Sequence, residues 1–449
     1  MINDFDPFHQ KLIFIVGLAA TTVLTMGIVS FSQMTQDLTF AQNGLAQTFD
    51  IMSKRYTLES PDIAMNQKGD IAIVWQEKKG ADYDVYALKT HTDKPSLKNP
   101  IRANHYTLAD QKEPHVAMDA KGNFVVVWTS FKQDGEGAGV FGQRFDFNGN
   151  PRGTEFRVNT AAKRSQESPD IAMNAAGNFA VVWTSESGFN KEKRIFLRLY
   201  DSSKSKNDRE IKADTVEGAI AVAMENPVVA LSDEGKTLVA WQTLAEKGDW
   251  EIKARAFDSS GTPASPAEVT VNATTKGDQT QPAINPFGTS QFLVAWKKDL
   301  KWDKYKDLEL VYQNIQAAVL ANNGSIARTE FDVEVPTFRV KQDPTVVHLE
   351  NGAMVLWQEK DKESGSWKLK GQPISTEASQ TAQVIELGES KGQPFWEPQT
   401  SSDKSEKVGV VWKGKNSKTG KGIIRFQQIE MSVAEAISSN LSNTKPAVN

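Results

Sequence analysis

Few side chains in this chain have the type and spacing that chemistry requires. The five histidines, His9, His91, His105, His115 and His348, are scattered, and none stands at metal-ligand spacing from another. No Gly-x-Ser-x-Gly elbow and no phosphate-cradling loop occurs. Each histidine therefore reads as an ordinary polar or packed residue. Cysteine is absent, which removes disulfides, thiolate metal sites and a cysteine nucleophile together. Oxygen side chains alternate at Asp146, Asn148 and Asn150 in the manner of a calcium loop. Pro151 stands where that loop wants glycine, however, and no bidentate Glu follows at the right distance. The expectation there is a hairpin turn, with Asp258, Ser260 and Gly261 as its counterpart further on. No cofactor is expected, calcium being the one ion whose loop the segment imitates. LSDEGKT, Leu231 to Thr237, approaches an Asp-box, but its Ser232 and Asp233 are adjacent and out of spacing. Glycoside cleavage would need two placed carboxylates, and 56 Asp and Glu residues do not single out a pair. The chain is expected not to be an enzyme.

Aromatic side chains are the better binding candidates. Seven of the eleven Trp residues belong to a repeat described below, which leaves Trp250, Trp302, Trp367 and Trp396. Trp250 and Trp367 each stand two residues before a strand and read as packing. Trp302 and Tyr305 fall in a long Lys-rich loop, and Trp396 precedes Pro398 where other copies have Gln or Glu. Such residues offer large contact area at low entropic cost. Trp302, Tyr305 and Trp396 are the expected binding residues, for a protein or a glycan.

The elements that must position them come from one phrase repeated seven times. PDIAMNAAGNFAVVW, Pro169 to Trp183, is its clearest copy. The Trp anchors are Trp75, Trp128, Trp183, Trp241, Trp296, Trp357 and Trp412, each preceded by a proline at Pro61, Pro114, Pro169, Pro227, Pro282, Pro344 and Pro398. A fixed period of this length marks a repeat array. FVVVW, Phe124 to Trp128, is apolar on both faces, as a strand buried between sheet layers should be. Further strands follow each Trp, as in VFGQRFD, IFLRLYD and IKARAFD, and a fourth resembles EFRVN or EVTVN. Four antiparallel strands in each of seven units predict an all-β, seven-bladed β-propeller over residues 54–431. The last unit lacks a convincing fourth strand, so Lys54 to Leu58 is expected to close the ring as its outer strand, removing two open sheet edges. Residues 432–449 read as a flexible tail.

Ahead of the propeller lies LIFIVGLAATTVLTMGIVSF, Leu12 to Phe31, twenty residues without a charge. At about 1.5 Å per residue it would span a bilayer core, and it exceeds the usual apolar core of a signal peptide. An uncleaved membrane helix over 12–31 is expected, with 1–11 in the cytoplasm. Phe31, Leu38, Leu45 and Met52 are seven apart and predict an amphipathic stalk helix over 32–53, packed on its own domain or against a second copy. The net charge of -4 supplies no field for nucleic acid.

The run DGEGAGVFGQRFDFNGNPRGTEFRVNT, Asp134 to Thr160, and SPDIAMNAAGNFAVVWTS, Ser168 to Ser185, resemble repeats of large secreted bacterial proteins of the adhesin-like and haemolysin-type kinds. In strand order the chain also resembles the TolB-type propeller. The resemblance implies an exported bacterial propeller used for contact or scaffolding. It offers no catalytic residues to carry over, and the Gly-Asp nonapeptide calcium array of those proteins is missing here. The resulting expectation is a single-pass protein of the bacterial membrane, its propeller in the periplasm or on the cell surface. It would act there as a non-catalytic scaffold for protein interaction, adhesion or assembly. A glycan-binding or glycan-processing propeller is the alternative, and a pilin-like filament or envelope-complex subunit is another.

Overall fold

The computed structural model describes residues 38–39, 47–53 and 56–430, apart from 136, 188–191, 203–209, 217–222, 246–247, 303–309, 338, 350–351, 377–383, 391–393, 404–406 and 417. The expected segment 1–11, the membrane helix over 12–31 and the tail over 432–449 lie outside the described residues. Among the described residues no helix is long and apolar enough to cross a membrane.

Every regular element described is a strand, and the strands group into seven antiparallel sheets. The innermost strands are Thr57–Met65, Gln111–Met118, Gln166–Met173, Met224–Leu231, Asp278–Phe287, Lys341–Leu349 and Trp396–Ser402. Each touches the innermost strands of both neighbouring blades, and the seventh touches the first. The chain is thus a closed seven-bladed propeller of four-stranded blades around a central channel, as the repeat predicts.

Ring closure differs from the expectation in one strand. The outer strand of the seventh blade is Gln47–Ile51, paired along Gly422–Glu430 with Phe49 opposite Phe426. Lys54 to Leu58 is not the seal, because Thr57 and Leu58 already belong to the innermost strand of the first blade, opposite Lys78 and Glu77. The apolar alternation of Phe49 and Ile51 explains the choice. Ile51 is buried with Leu58, Trp75, Val411 and Phe426, and Phe49 stacks on Phe426 at 5.9 Å between ring centroids. The stalk helix expected over 32–53 is corrected for the same reason. Residues 47–51 of it form this strand, Leu38–Thr39 pairs with Ser390 and Glu389 of the sixth blade, and 32–37 and 40–46 lie outside the described residues.

The anchor Trp residues sit on the second strand of each blade and are almost wholly buried, packed between adjacent sheets. A buried indole N–H needs an acceptor. Trp128 donates to Gln111 at 3.0 Å and Trp296 to Gln279 at 2.8 Å, each Gln being the first or second residue of its innermost strand. Leu58, Met224 and Lys341 occupy that position in blades one, four and six. The indole N–H groups of Trp75, Trp241 and Trp357 are accordingly buried without a partner.

Outer strands are only two residues long in four blades, and side chains complete their ladders. Asn104, Asn159 and Asn272 accept the third-strand N–H groups of Val85, Val140 and Ile252, each at 2.8 Å. Carboxylates then tie blade to blade: Glu155 accepts from His105 N, Glu268 from Thr215 N, and Glu330 from Ala273 N and Thr274 N. The RVN and TVN motifs therefore specify blade edges.

Candidate functional site in the channel

Each innermost strand carries the same irregularity where it enters the channel. Pairing breaks around the proline in all seven blades, leaving a bulge. The proline has no N–H to give to a ladder, and bulges are where sheets tolerate it. The residue before it turns left-handed, with φ between +46° and +55° at Ser60, Glu113, Ser168, Asn226, Gln281, Asp343 and Glu397. Non-glycine residues hold this conformation at a cost of about 1 kcal/mol or more each, so the surrounding structure must impose it.

Polar contacts between these residues do so. Glu397 accepts from Ser60 N at 2.9 Å, Glu113 from Ser168 N at 3.2 Å, and Asp343 from the Gln281 amide at 2.9 Å. Three pairs of neighbouring blades are thereby linked around the mouth. Burial raises the Asp343 carboxyl above the usual range, opposed by hydrogen bonds from Gln358 and Gln281.

A bulge re-aims the side chain that follows it. In blades one to three the residue after the proline is Asp62, His115 and Asp170. His115 Nδ1 lies 3.5 Å from Asp62 Oδ2 and 3.7 Å from Asp170 Oδ1, so one imidazole bridges two carboxylates from the blades on either side. Each carboxylate is fixed from behind by the next blade: Asp62 accepts from Val116 N and Asp170 from Val229 N, both at 2.8 Å.

The electrostatics follow from this packing. Burial works against a charged His115, but the contact with Asp62 and the charges of Asp62, Asp170 and Glu113 outweigh it and hold the imidazole at about 9. Burial pushes the Asp170 carboxyl up to about 6, even against the His115 charge and the Val229 hydrogen bond, with the Asp62 charge adding to the rise. A carboxyl near 6 can carry a proton at working pH and deliver it, while a second carboxylate accepts one. The side chains of His115 and Asp170 remain 29% and 23% exposed, so a ligand in the channel mouth can reach them.

Of the expected binding residues, the structure places the backbones of Trp302 and Trp396. Trp302 ends the second strand of blade five, with its backbone opposite Leu310, and Trp396 opens the innermost strand of blade seven opposite Lys413. Their side chains, and Tyr305 altogether, lie outside the described residues. At the calcium-like turn, Asp146 accepts from Asn148 N and Asn150 N at 2.9 and 2.8 Å, and from the Asn150 amide at 3.1 Å. Its carboxylate is occupied by its own turn. Among the described residues no group of three or more His, Asp or Glu side chains is placed to hold a metal ion.

Sequence reasoning passed over Asp62, His115 and Asp170, treating the histidine as ordinary. The signal lay in the repeat itself. The position after the proline reads Asp, His, Asp, Val, Ala, Thr, Gln around the ring, so three titratable groups stand side by side in consecutive blades.

No protein-family model matches the chain. No curated protein matches it either. Solved structures similar to it include a protein of unknown function from Dyadobacter fermentans, 11% identical, with a TM-score of 0.49 over 86% of this chain and 99% of that one. An α-L-arabinanase from Penicillium chrysogenum, complexed with arabinobiose, is 10% identical with a TM-score of 0.47, covering 87% and 99%. An α-L-arabinofuranosidase from Fusarium graminearum is 8% identical with a TM-score of 0.46, covering 88% and 100%. No residue role passes from them to this chain. The resemblance to adhesin-like and haemolysin-type repeats gains support for the propeller fold alone. The expectation of a non-catalytic scaffold for interaction, adhesion or assembly, and with it of no enzyme, is corrected. Titratable groups converge in the channel, where a scaffold needs none.

Proposed function

We propose that this propeller processes glycans at the mouth of its central channel by hydrolysing a glycosidic bond. The observation that carries the reading is the Asp170 carboxyl, held up at about 6 by burial and separated from the Asp62 carboxylate by a single imidazole. Asp170 gives its proton to the departing sugar oxygen, and Asp62 takes a proton from the attacking water, the division of labour that glycoside hydrolysis demands. His115, protonated between them, keeps the two carboxyl groups in register and after turnover takes the proton from Asp62 as it passes its own to Asp170, which resets the site. Trp302, Tyr305 and Trp396 are the proposed stacking surfaces for the sugar chain. An exported, membrane-tethered position through residues 12–31 suits an extracellular glycan and is part of the same proposal.

The test is release of reducing ends from a panel of neutral and acidic oligosaccharides, α-arabinosides included, by the full chain. Asp170→Asn should lower turnover at least about 100-fold while leaving the fold intact. Activity should also decline as pH rises through about 6, because the protonated carboxyl is the reactive form. Release that is unchanged in Asp170→Asn, or a panel left uncut by the wild type, would sink the proposal.

A further inference from the structure

A second site lies away from the channel, between blades two and three on the opposite face. It is a groove of about 930 Å³ beside the hairpin turn at Asp119 and Asn123. One wall is aromatic. Phe179 and Tyr200 of blade three stack at 4.4 Å with 10° between ring planes, and Phe156, on the outer strand of blade two, meets Tyr200 edge-on at 5.7 Å. Gly142 makes room for that third ring, since a Cβ there would come within 2.8 Å of Phe156.

Arg144 sits among these rings, its guanidinium 4.4, 5.1 and 5.7 Å from the centroids of Phe156, Phe179 and Tyr200. Burial lowers its pKa, and the nearby Arg152 charge adds to that, with only Tyr200 opposing. Among the described residues it forms no salt bridge. Arg198, 3% exposed, is already engaged, donating to Thr160 Oγ1 at 2.6 Å and pairing with Glu210 at 3.9 Å. Arg152 lines the groove as well. Of the two acids there, Asp119 is engaged in its own turn with Lys121 N and Asn123. One planar cation set against ring faces, with a second arginine lining the same groove, matches a ligand with an anionic group on a body that has apolar C–H faces.

We infer that this groove binds an anionic sugar unit, its acid group taken by Arg144 and Arg152 and its ring laid on the aromatic wall. Only the choice of a sugar as the body rests on the glycan reading of the channel; the anion preference stands on the groove alone. Binding here would hold an acidic glycan on one face while the channel mouth works on the other.

The experiment is isothermal titration of the full chain with a galacturonate tetramer, with the neutral galactose tetramer and sodium sulfate as comparisons. The uronate should bind with salt-sensitive affinity, the neutral tetramer should not, and sulfate should bind more weakly than the uronate. Arg144→Gln should weaken uronate binding by about tenfold or more and Arg152→Gln by about threefold. Arg152 is exposed, so its variant keeps the fold and carries the test even where Arg144→Gln does not. Asp170→Asn should bind the uronate as the wild type does. Equal binding of the neutral tetramer, sulfate as tight as uronate, unchanged binding in both arginine variants, or loss of binding in Asp170→Asn would each overturn the inference. Failure of hydrolysis with groove binding intact would remove the channel proposal alone.

Discussion

The bridge at His115 makes a quantitative statement about stability and pH. In an unfolded chain the imidazole has its ordinary value of 6.5, whereas in the propeller it is held at about 9. A group whose folded value is raised binds its proton more tightly in the native state. Its stabilisation is fully present below 6.5 and is lost as pH rises towards 9. At about 1.4 kcal/mol per unit, and with the side chain 29% exposed, the loss across that window is about 2–3 kcal/mol. Asp170, also raised, loses its contribution between 3.8 and about 6, below the window of the histidine, so the two do not cancel.

The assay is urea denaturation followed by tryptophan fluorescence at pH 6.5 and at pH 9, with refolding checked, in the wild type and in His115→Gln. Gln keeps a donor between Asp62 and Asp170 but cannot titrate. Wild-type stability should fall by about 2–3 kcal/mol more than that of the variant between the two pH values. Parallel losses in the two proteins would show that His115 is not held protonated by its two carboxylates, and the account of the channel would fail with it.

Two further outcomes test the framework. Met224→Gln should stabilise the protein by about 1 kcal/mol, because Trp241 would gain the acceptor that Gln111 and Gln279 give their own Trp residues; a lower denaturation midpoint would refute that account. Ile51→Ala should cost about 2–4 kcal/mol, since Ile51 is 6% exposed in the core that seals blade seven to blade one. Unchanged thermal stability there would show that Gln47–Ile51 is dispensable for closure.

The ring was legible because blades are a periodic problem: Pro, turn glycine and Trp recur at positions where backbone and core demand them. Gly122 and Gly177, both at φ +89°, are such cases, since the hairpin turn needs a residue free of Cβ strain. Closure was misread because KRYTLES, Lys54 to Ser60, resembles NHYTLAD, Asn104 to Asp110, at the end of the first full unit, and one short polar strand resembles another. What decided it was the burial of Ile51 and the packing of Phe49 on Phe426, which a local comparison of polar motifs does not register. The channel site was hidden for the opposite reason. Attention to the conserved features of the repeat sets aside the positions where copies differ, and Asp62, His115 and Asp170 differ from their counterparts in blades four to seven.

That contrast explains how one fold can hold both a rigid ring and a strained site. The left-handed residue before each proline is imposed in all seven blades, so the cost of the bulge is spread through the framework and supported by contacts between neighbours such as Glu113 with Ser168. Once every blade presents a re-aimed side chain at the same depth, chemistry requires only substitution at that one position. Blades one to three place a carboxylate, an imidazole and a carboxylate there, and the next blade pins each carboxylate through a backbone N–H. Those N–H groups come from the repeat and not from the site. The titratable side chains can therefore be exchanged without disturbing the strands that hold them, which is why Asp170→Asn and His115→Gln are expected to alter protonation while the ring stays closed.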